Sequence, residues 1–456
     1  MTAGGAALAE SPALAAFAAA FEALRAQPEF APTPELREAR ERAWSSVQRR
    51  GLPTTRDEAW RATSIAPIAA ASFRRADDGL AQRLPEALLA RLGFAGAFRG
   101  REAVFVNGRF APRLSSLDAL AGVRVRCLRH ALRDEPQGAA SRLGALVPSL
   151  DAHPFAALNT ALFEDGALVE VEPGAQMDAP LHLLHISWPG EGASPALSLP
   201  RVLLRAGRGS RVRLVETYGG HPGQPALVDA VTEIELEDGA QLDRTKLQRE
   251  SDSAFHVALL AVRQGRDARF VDHSISVGAA LSRHDIDVLL DGEGAECVLD
   301  GLFLAEGAQH TDTHSRIDHA RPHGTSRELY KGVLDGRARG VFHGLVVVRE
   351  GAQKSDAWQA NRNLLLSTQA LVHSTPQLEI RADDVKCKHG STTGQLDPQA
   401  LFYLRSRGLG EEAARALLTW AFASEIVQRL EVEPVRARLS DYLHERLPLA
   451  PREEVA

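Results

Sequence analysis

The chain has 456 residues, with 53 Lys and Arg against 59 Asp and Glu, a formal charge of −6. Apolar residues reach 44% and aromatics only 5%, so a large core must be built from Val, Leu, Ile and Ala. The acidic balance argues against a nucleic-acid-binding face, three scattered cysteines (Cys127, Cys297, Cys387) against a disulfide framework, and the lack of an apolar run of about 18–20 residues against a bilayer-spanning helix.

Residues 1–155 read as mostly helical. Leu14, Phe17, Phe21 and Leu24 recur at helical spacing, as do Leu88, Leu89 and Leu92. The Ala-rich stretch from Ala13 to Leu24 has no basic flank and is interrupted by Glu22, so it is expected to be an amphipathic helix rather than an export signal. With the reduced cysteines, that predicts a cytoplasmic protein with no membrane association. Thr33-Pro34-Glu35 has the form of an N-cap followed by proline at the first helical position. Ala103 to Val106 before Asn107-Gly108 predicts a strand and a hairpin turn.

From 156 to 395 the period changes to two. Ala167–Val171, Arg211–Glu216, Val231–Leu236 and Gly344–Val348 alternate as half-buried strands do. Glycines at 294, 307, 324, 340 and 351 fall 11 to 17 residues apart and supply tight corners. A long strand-and-corner rhythm without crossover helices predicts a β-solenoid, with a sandwich or cupin-like barrel as the competing all-β arrangement. Residues 396–456 return to helical spacing. Asp397-Pro398 opens one helix, Glu411 to Leu430 forms a second, and Pro434 begins a third carrying Leu439, Leu443 and Leu447.

The chain lacks a phosphate-binding loop, an H-E-x-x-H zinc motif, a C-x-x-C pair, a G-x-S-x-G elbow and a Rossmann glycine fingerprint. No nucleotide is expected on it. Its densest polar cluster runs from His310 to His323. On a strand His310, Asp312 and His314 share one face, a ligand row for zinc or iron that would suit a β-solenoid metalloenzyme. A hydrogen-bonded polar ladder gives the same pattern. Cys387 and His389 are two apart and also share a face on a strand. Lys386 and Lys388 flank the thiol and would favour thiolate, which suits soft-metal or iron–sulfur ligation, although a buried structural cysteine fits equally. Lys331 and Lys354, two of only five lysines, could anchor an anion or be solvated surface charges.

Consecutive motifs carry a resemblance. These are Glu328-Leu329-Tyr330-Lys331-Gly332-Val333-Leu334, Ala352-Gln353-Lys354-Ser355-Asp356, Pro376-Gln377-Leu378-Glu379-Ile380, the run from Ala382 through Cys387 and His389 to Leu396, and Leu401 to Gly408. Near the start, Glu58-Ala59-Trp60-Arg61-Ala62-Thr63 has the form E-x-W-[KR]-x-T. Together they resemble the SufB/SufD family of iron–sulfur cluster assembly proteins, on its SufD side. The resemblance implies a right-handed parallel β-helix flanked by N-terminal and C-terminal helical regions. It implies a non-catalytic scaffold subunit that pairs with a SufB-like partner, self-associating without it, and binds a SufC-like ATPase that hydrolyses the ATP. A transient iron–sulfur cluster would be shared with SufB near His389 and Cys387. The docking segment would present Leu409, Leu417, Leu418, Phe422 and Ile426. Lys388 stands where Ser or Thr is usual in the family, and His343 where Asn is frequent.

Overall fold

Alternating side chains along extended runs leave each strand one face to bury, and here those faces close on each other across two sheets. The computed structural model describes residues 11–27, 31, 33–75, 79–190 and 194–446. Among them, strands sort into two eleven-stranded sheets, and from Ala226 onward successive strands alternate strictly between the two. The pairing within each sheet is parallel throughout this region. Gln241 lies opposite Arg269, Arg269 opposite Glu296, Glu296 opposite Thr325, Thr325 opposite Asp356 and Asp356 opposite Lys386, so one coil takes 27 to 31 residues along this sheet, and between 26 (Phe255 to Leu281) and 32 (Arg339 to Leu371) along the other. This is a β-solenoid, not a sandwich or a cupin barrel. The glycine spacing read from the sequence counts half-coils. At one corner Gly209 and Gly239, with φ of 63° and 69°, stack on each other in successive coils.

The interior is filled by the inward positions of both sheets, among them Leu214, Leu242, Phe270, Cys297 and Leu299 facing Ile234, Leu260, Ile286 and Ile317. Cys297 is fully buried, as expected for a packed strand position, and burial pushes its thiol well up.

The first strands come from the mostly helical N-terminal part. Arg101–Val106 pairs in parallel with Leu181–Ser187, and Val123–Cys127 pairs antiparallel with Ala167–Val171. Asn107 and Gly108 form the expected hairpin turn, with φ of 51° and 83° and the pair Val106–Arg109 closing it.

Helices cover the outer faces. Pro12–Arg25 and Pro34–Arg50 are capped by Ser11 and Thr33, and Phe17, Phe21, Trp44 and Val47 join the Pro154–Leu162 helix in packing on Leu203, Leu227 and Val257 of the first sheet. On the second sheet, Ala423, Ile426, Val427, Leu430, Leu439 and Leu443 pack on Val215, Leu247, Ile275, Leu302 and Leu329. These belong to the helices Glu411–Val427 and Glu433–Arg446 and the link between them; Leu447 lies outside the described residues. Among the described residues no helix is long and apolar enough to cross a membrane.

Candidate functional site

Among the described residues, the solenoid stops with two strands that nothing extends. Leu371–Ile380 ends the first sheet and Lys386–Gly394 the second. Ser391 donates to Ser374 at 2.8 Å, joining the two sheets at this end. One edge of each strand is unpaired among the described residues, and side chains on both are largely exposed, including Leu371 at 47% and Ile380 at 43%. An unpaired strand edge is a template for another chain.

Cys387 and His389 sit on this last strand. Their partners in the preceding coil are Ala357 and Gln359, both buried interior positions, so the two side chains continue the inward rows of the second sheet. Cys387 is half-buried against the core, whereas His389 is exposed because no further coil covers it. No side chain among the described residues hydrogen-bonds the His389 ring. The flanking lysines do not activate the thiol here. Burial, against a backbone hydrogen bond from Ala357 and with a smaller push from Asp356, leaves Cys387 raised from its ordinary value. The site therefore offers one open imidazole and a neutral thiol that must lose its proton to bind metal. Beneath them, Gln359 donates to Glu328 at 2.7 Å, and burial pushes the Glu328 carboxyl up to about 7.

The C-terminal helices divide the expected docking residues. Ile426 is buried against the solenoid and holds its helix in place, so its side chain faces away from any partner. Phe422 lies under the Lys331 ammonium, 4.3 Å from ring centroid to Nζ, while Lys331 donates to the Phe422 carbonyl at 2.8 Å and pairs with Glu425 at 2.5 Å. Lys331 is thus neither solvated nor free for an anion; it ties helix to strand. Lys354 is exposed and pairs with Asp384 at a corner. Leu409, Leu417 and Leu418 are half-buried. The side chains that stand out are Phe402 and Tyr403 on the Pro398–Ser406 helix, 74% and 56% exposed. The sequence marks them as part of the run Leu401 to Gly408 that carries the family resemblance, not as docking residues.

Two known domains match in order: the SufBD protein N-terminal region over residues 15–183, and the SufBD core domain of the SUF system for iron–sulfur cluster assembly over 189–422. The chain belongs to the SufBD family. It is 34% identical over 404 residues to a SufBD family iron–sulfur cluster assembly protein of Synechocystis, covering 85% of this chain and 86% of that one. Against Escherichia coli SufD it is 30% identical over 400 residues, 88% and 90% of the two chains. Against Bacillus subtilis SufD the figures are 27% over 303 residues, 65% and 68%. Its function is in iron–sulfur cluster assembly.

The family's E-x-W-[KR]-x-T element meets the histidine row of the strand His310–His319. Thr63 donates to Asp312 at 2.6 Å and takes a hydrogen bond from His310 Nε2 at 2.8 Å. Arg283 stacks on the Trp60 ring at 3.9 Å, donates to the Ala59 carbonyl at 2.7 Å and pairs with Asp312 at 2.8 Å. His314 lies 3.1 Å from Asp312 and stacks on His343 at 5.0 Å. His310, Asp312 and His314 do meet, as the spacing requires. Burial would raise the Asp312 carboxyl, but Arg283, His314 and Thr63 outweigh it and hold it well below the carboxylate range. The positive charge at this cluster is an arginine of the chain, and among the described residues no group of three or more His, Cys, Asp or Glu side chains is arranged to hold a metal ion. The row clasps the N-terminal part to the solenoid.

Proposed function

We propose that this SufBD family member is a SufD-like, non-catalytic scaffold subunit. It pairs with a SufB-like subunit through the open end of its solenoid and binds a SufC-like ATPase through its C-terminal helices. The observation that carries this reading is the uncapped last coil, where two exposed strand edges coincide with Cys387 and His389. Parallel strands added to both edges would continue the interior rows and close His389 inside a joint solenoid. There His389, with Cys387 beneath it, would supply nitrogen and sulfur ligands to an iron–sulfur cluster that is cargo shared with the partner. Lys386 and Lys388 on the same edge discourage indiscriminate strand pairing in the free chain. Phe402 and Tyr403 extend the ATPase-docking surface beyond Leu409, Leu417, Leu418 and Phe422. ATP would be hydrolysed on that partner, in keeping with the missing phosphate loop.

Co-purification with SufB-like and SufC-like proteins of the same organism, followed by native mass, tests the assembly. One SufB-like, two SufC-like and one copy of this chain is the expected composition. No association under reducing conditions would overturn it, and a homodimer alone would place self-pairing at the edge instead. In the reconstituted complex, His389→Ala is expected to reduce cluster yield, and an unchanged yield would remove His389 from the site.

A further inference from the structure

Gln359 carries a hydrogen-bond acceptor that nothing in the free chain meets. It sits on the strand Asp356–Leu365, is fully buried, and lies between Glu328 of the coil before and His389 of the coil after. The three share one row of the second sheet, each opposite the next in the parallel pairing. The two arms of the Gln359 amide have different surroundings. Its nitrogen donates to Glu328 Oε2 at 2.7 Å. Its oxygen is shielded from solvent and has no hydrogen-bond partner among the described residues. Glu328 decides which arm is which. Above pH 7 its carboxylate can only accept, so it takes the amide N–H and turns the oxygen away. Gly344 on the facing sheet makes room for this orientation, because a Cβ there would collide with the amide nitrogen. The next residue of the row is His389, exposed and with no hydrogen bond from its ring to a described residue.

We infer that Gln359 is a positioning residue for His389: once a partner continues the solenoid, the Gln359 oxygen accepts the N–H of one imidazole nitrogen and leaves the lone pair of the other for iron. This rests on the pairing and ligand role proposed above for the open end. A neutral imidazole has one N–H and one lone pair, so an acceptor that can only accept selects the tautomer. Histidines that bind metal are commonly oriented by such a carbonyl or carboxylate, which also raises their basicity. Neighbouring strands are about 4.8 Å apart, a gap that a glutamine and a histidine in one row can bridge. Closing the end would also give a buried oxygen its missing donor, so the contact that orients the ring favours the closed state. Glu328 acts one step further back, by holding the amide the right way round.

The test uses the complex reconstituted anaerobically at pH 8 with the SufB-like and SufC-like subunits of the same organism. Gln359→Met keeps the length of the side chain and removes the acceptor, whereas Gln359→Glu keeps an acceptor oxygen. Both are expected to assemble with the wild-type native mass. Gln359→Met should then bind ferrous iron about tenfold or more weakly, with Gln359→Glu within about threefold of wild type. Unchanged iron affinity in Gln359→Met would overturn the inference. Equal losses in the two variants would also overturn it, and would make Gln359 a packing residue. A crystal structure of the wild-type complex gives a check independent of any variant's folding. A His389 ring nitrogen is expected about 2.7–3.2 Å from Gln359 Oε1, and a ring turned elsewhere would overturn the inference. Failure of the wild-type chain to assemble, or unchanged iron affinity in His389→Ala, would strike the reading of the open end itself, and the role of Gln359 would fall with it.

Discussion

Arg283 has Trp60 on one face of its guanidinium and Asp285 and Asp312 at its edge. Arg283→Met would leave the buried Asp312 and the half-buried Asp285 carboxylates without their cation. The expected loss is about 3–5 kcal/mol in urea titration, well above an ordinary surface substitution. Glu328 governs a pH effect. Its folded pKa is raised by burial from 4.5 to about 7, so its contribution is fully present below pH 4.5 and is lost as pH rises towards 7. Glu328→Gln keeps the shape without the titration, and stability measured from pH 4.5 to 7 should decline less in that variant. Neither residue's role was legible from the pattern. A charged residue at a period-two position reads as solvent-facing, and only the coil register reveals that Glu328 points inward beneath Gln359. The Cys387–His389 pairing on one face was legible because it needs only strand alternation. The effect of the lysines on the thiol was not, since it depends on how deep the sulfur sits.

The C-terminal helices show what periodicity can and cannot resolve. A repeat of 3.6 identifies an apolar stripe but not the surface that covers it. Leu417, Leu418, Phe422 and Ile426 all belong to the Glu411–Val427 helix, yet the solenoid has already claimed Ile426 and part of Phe422. The aromatics left over lie one helix earlier. Phe402→Ala with Tyr403→Ala should weaken binding of the SufC-like ATPase about tenfold or more by calorimetry, since exposed aromatic anchors dominate interfaces. The thermal midpoint should barely move, because neither side chain is buried in the chain itself. The N-terminal caps and the Asn107-Gly108 hairpin were readable because local chemistry decides them. The docking of Trp60 and Thr63 onto a strand about 250 positions later is a tertiary event with no local signature beyond the resemblance of the motif.

The whole molecule is close to one-dimensional, each coil resting mainly on its neighbours. Stability should therefore fall towards the uncovered end. In hydrogen exchange, amides of Leu371–Ile380 and Lys386–Gly394 should exchange fastest among the long solenoid strands of the free chain, and become protected when the SufB-like subunit binds. Uniform protection along the solenoid would contradict this. The architecture was legible because alternation, the absence of crossover helices and glycines at half-coil spacing all agree. The number of strands per coil was not, since corner spacing alone does not say which strand lies above which.

The clasp between Thr63 and the strand His310–His319 lies two coils short of the last strand of its sheet. With strands about 4.8 Å apart, those two coils set the open edge about 10 Å beyond the fixed N-terminal helices. The repeat thus works as a ruler. Removing one whole coil of 29 to 32 residues between clasp and edge would preserve every pairing rule while drawing the strand that carries Cys387 and His389 inward by one strand spacing. A family built on such a ruler can alter the reach of its joining surface in fixed steps, without redesigning the strands that form it.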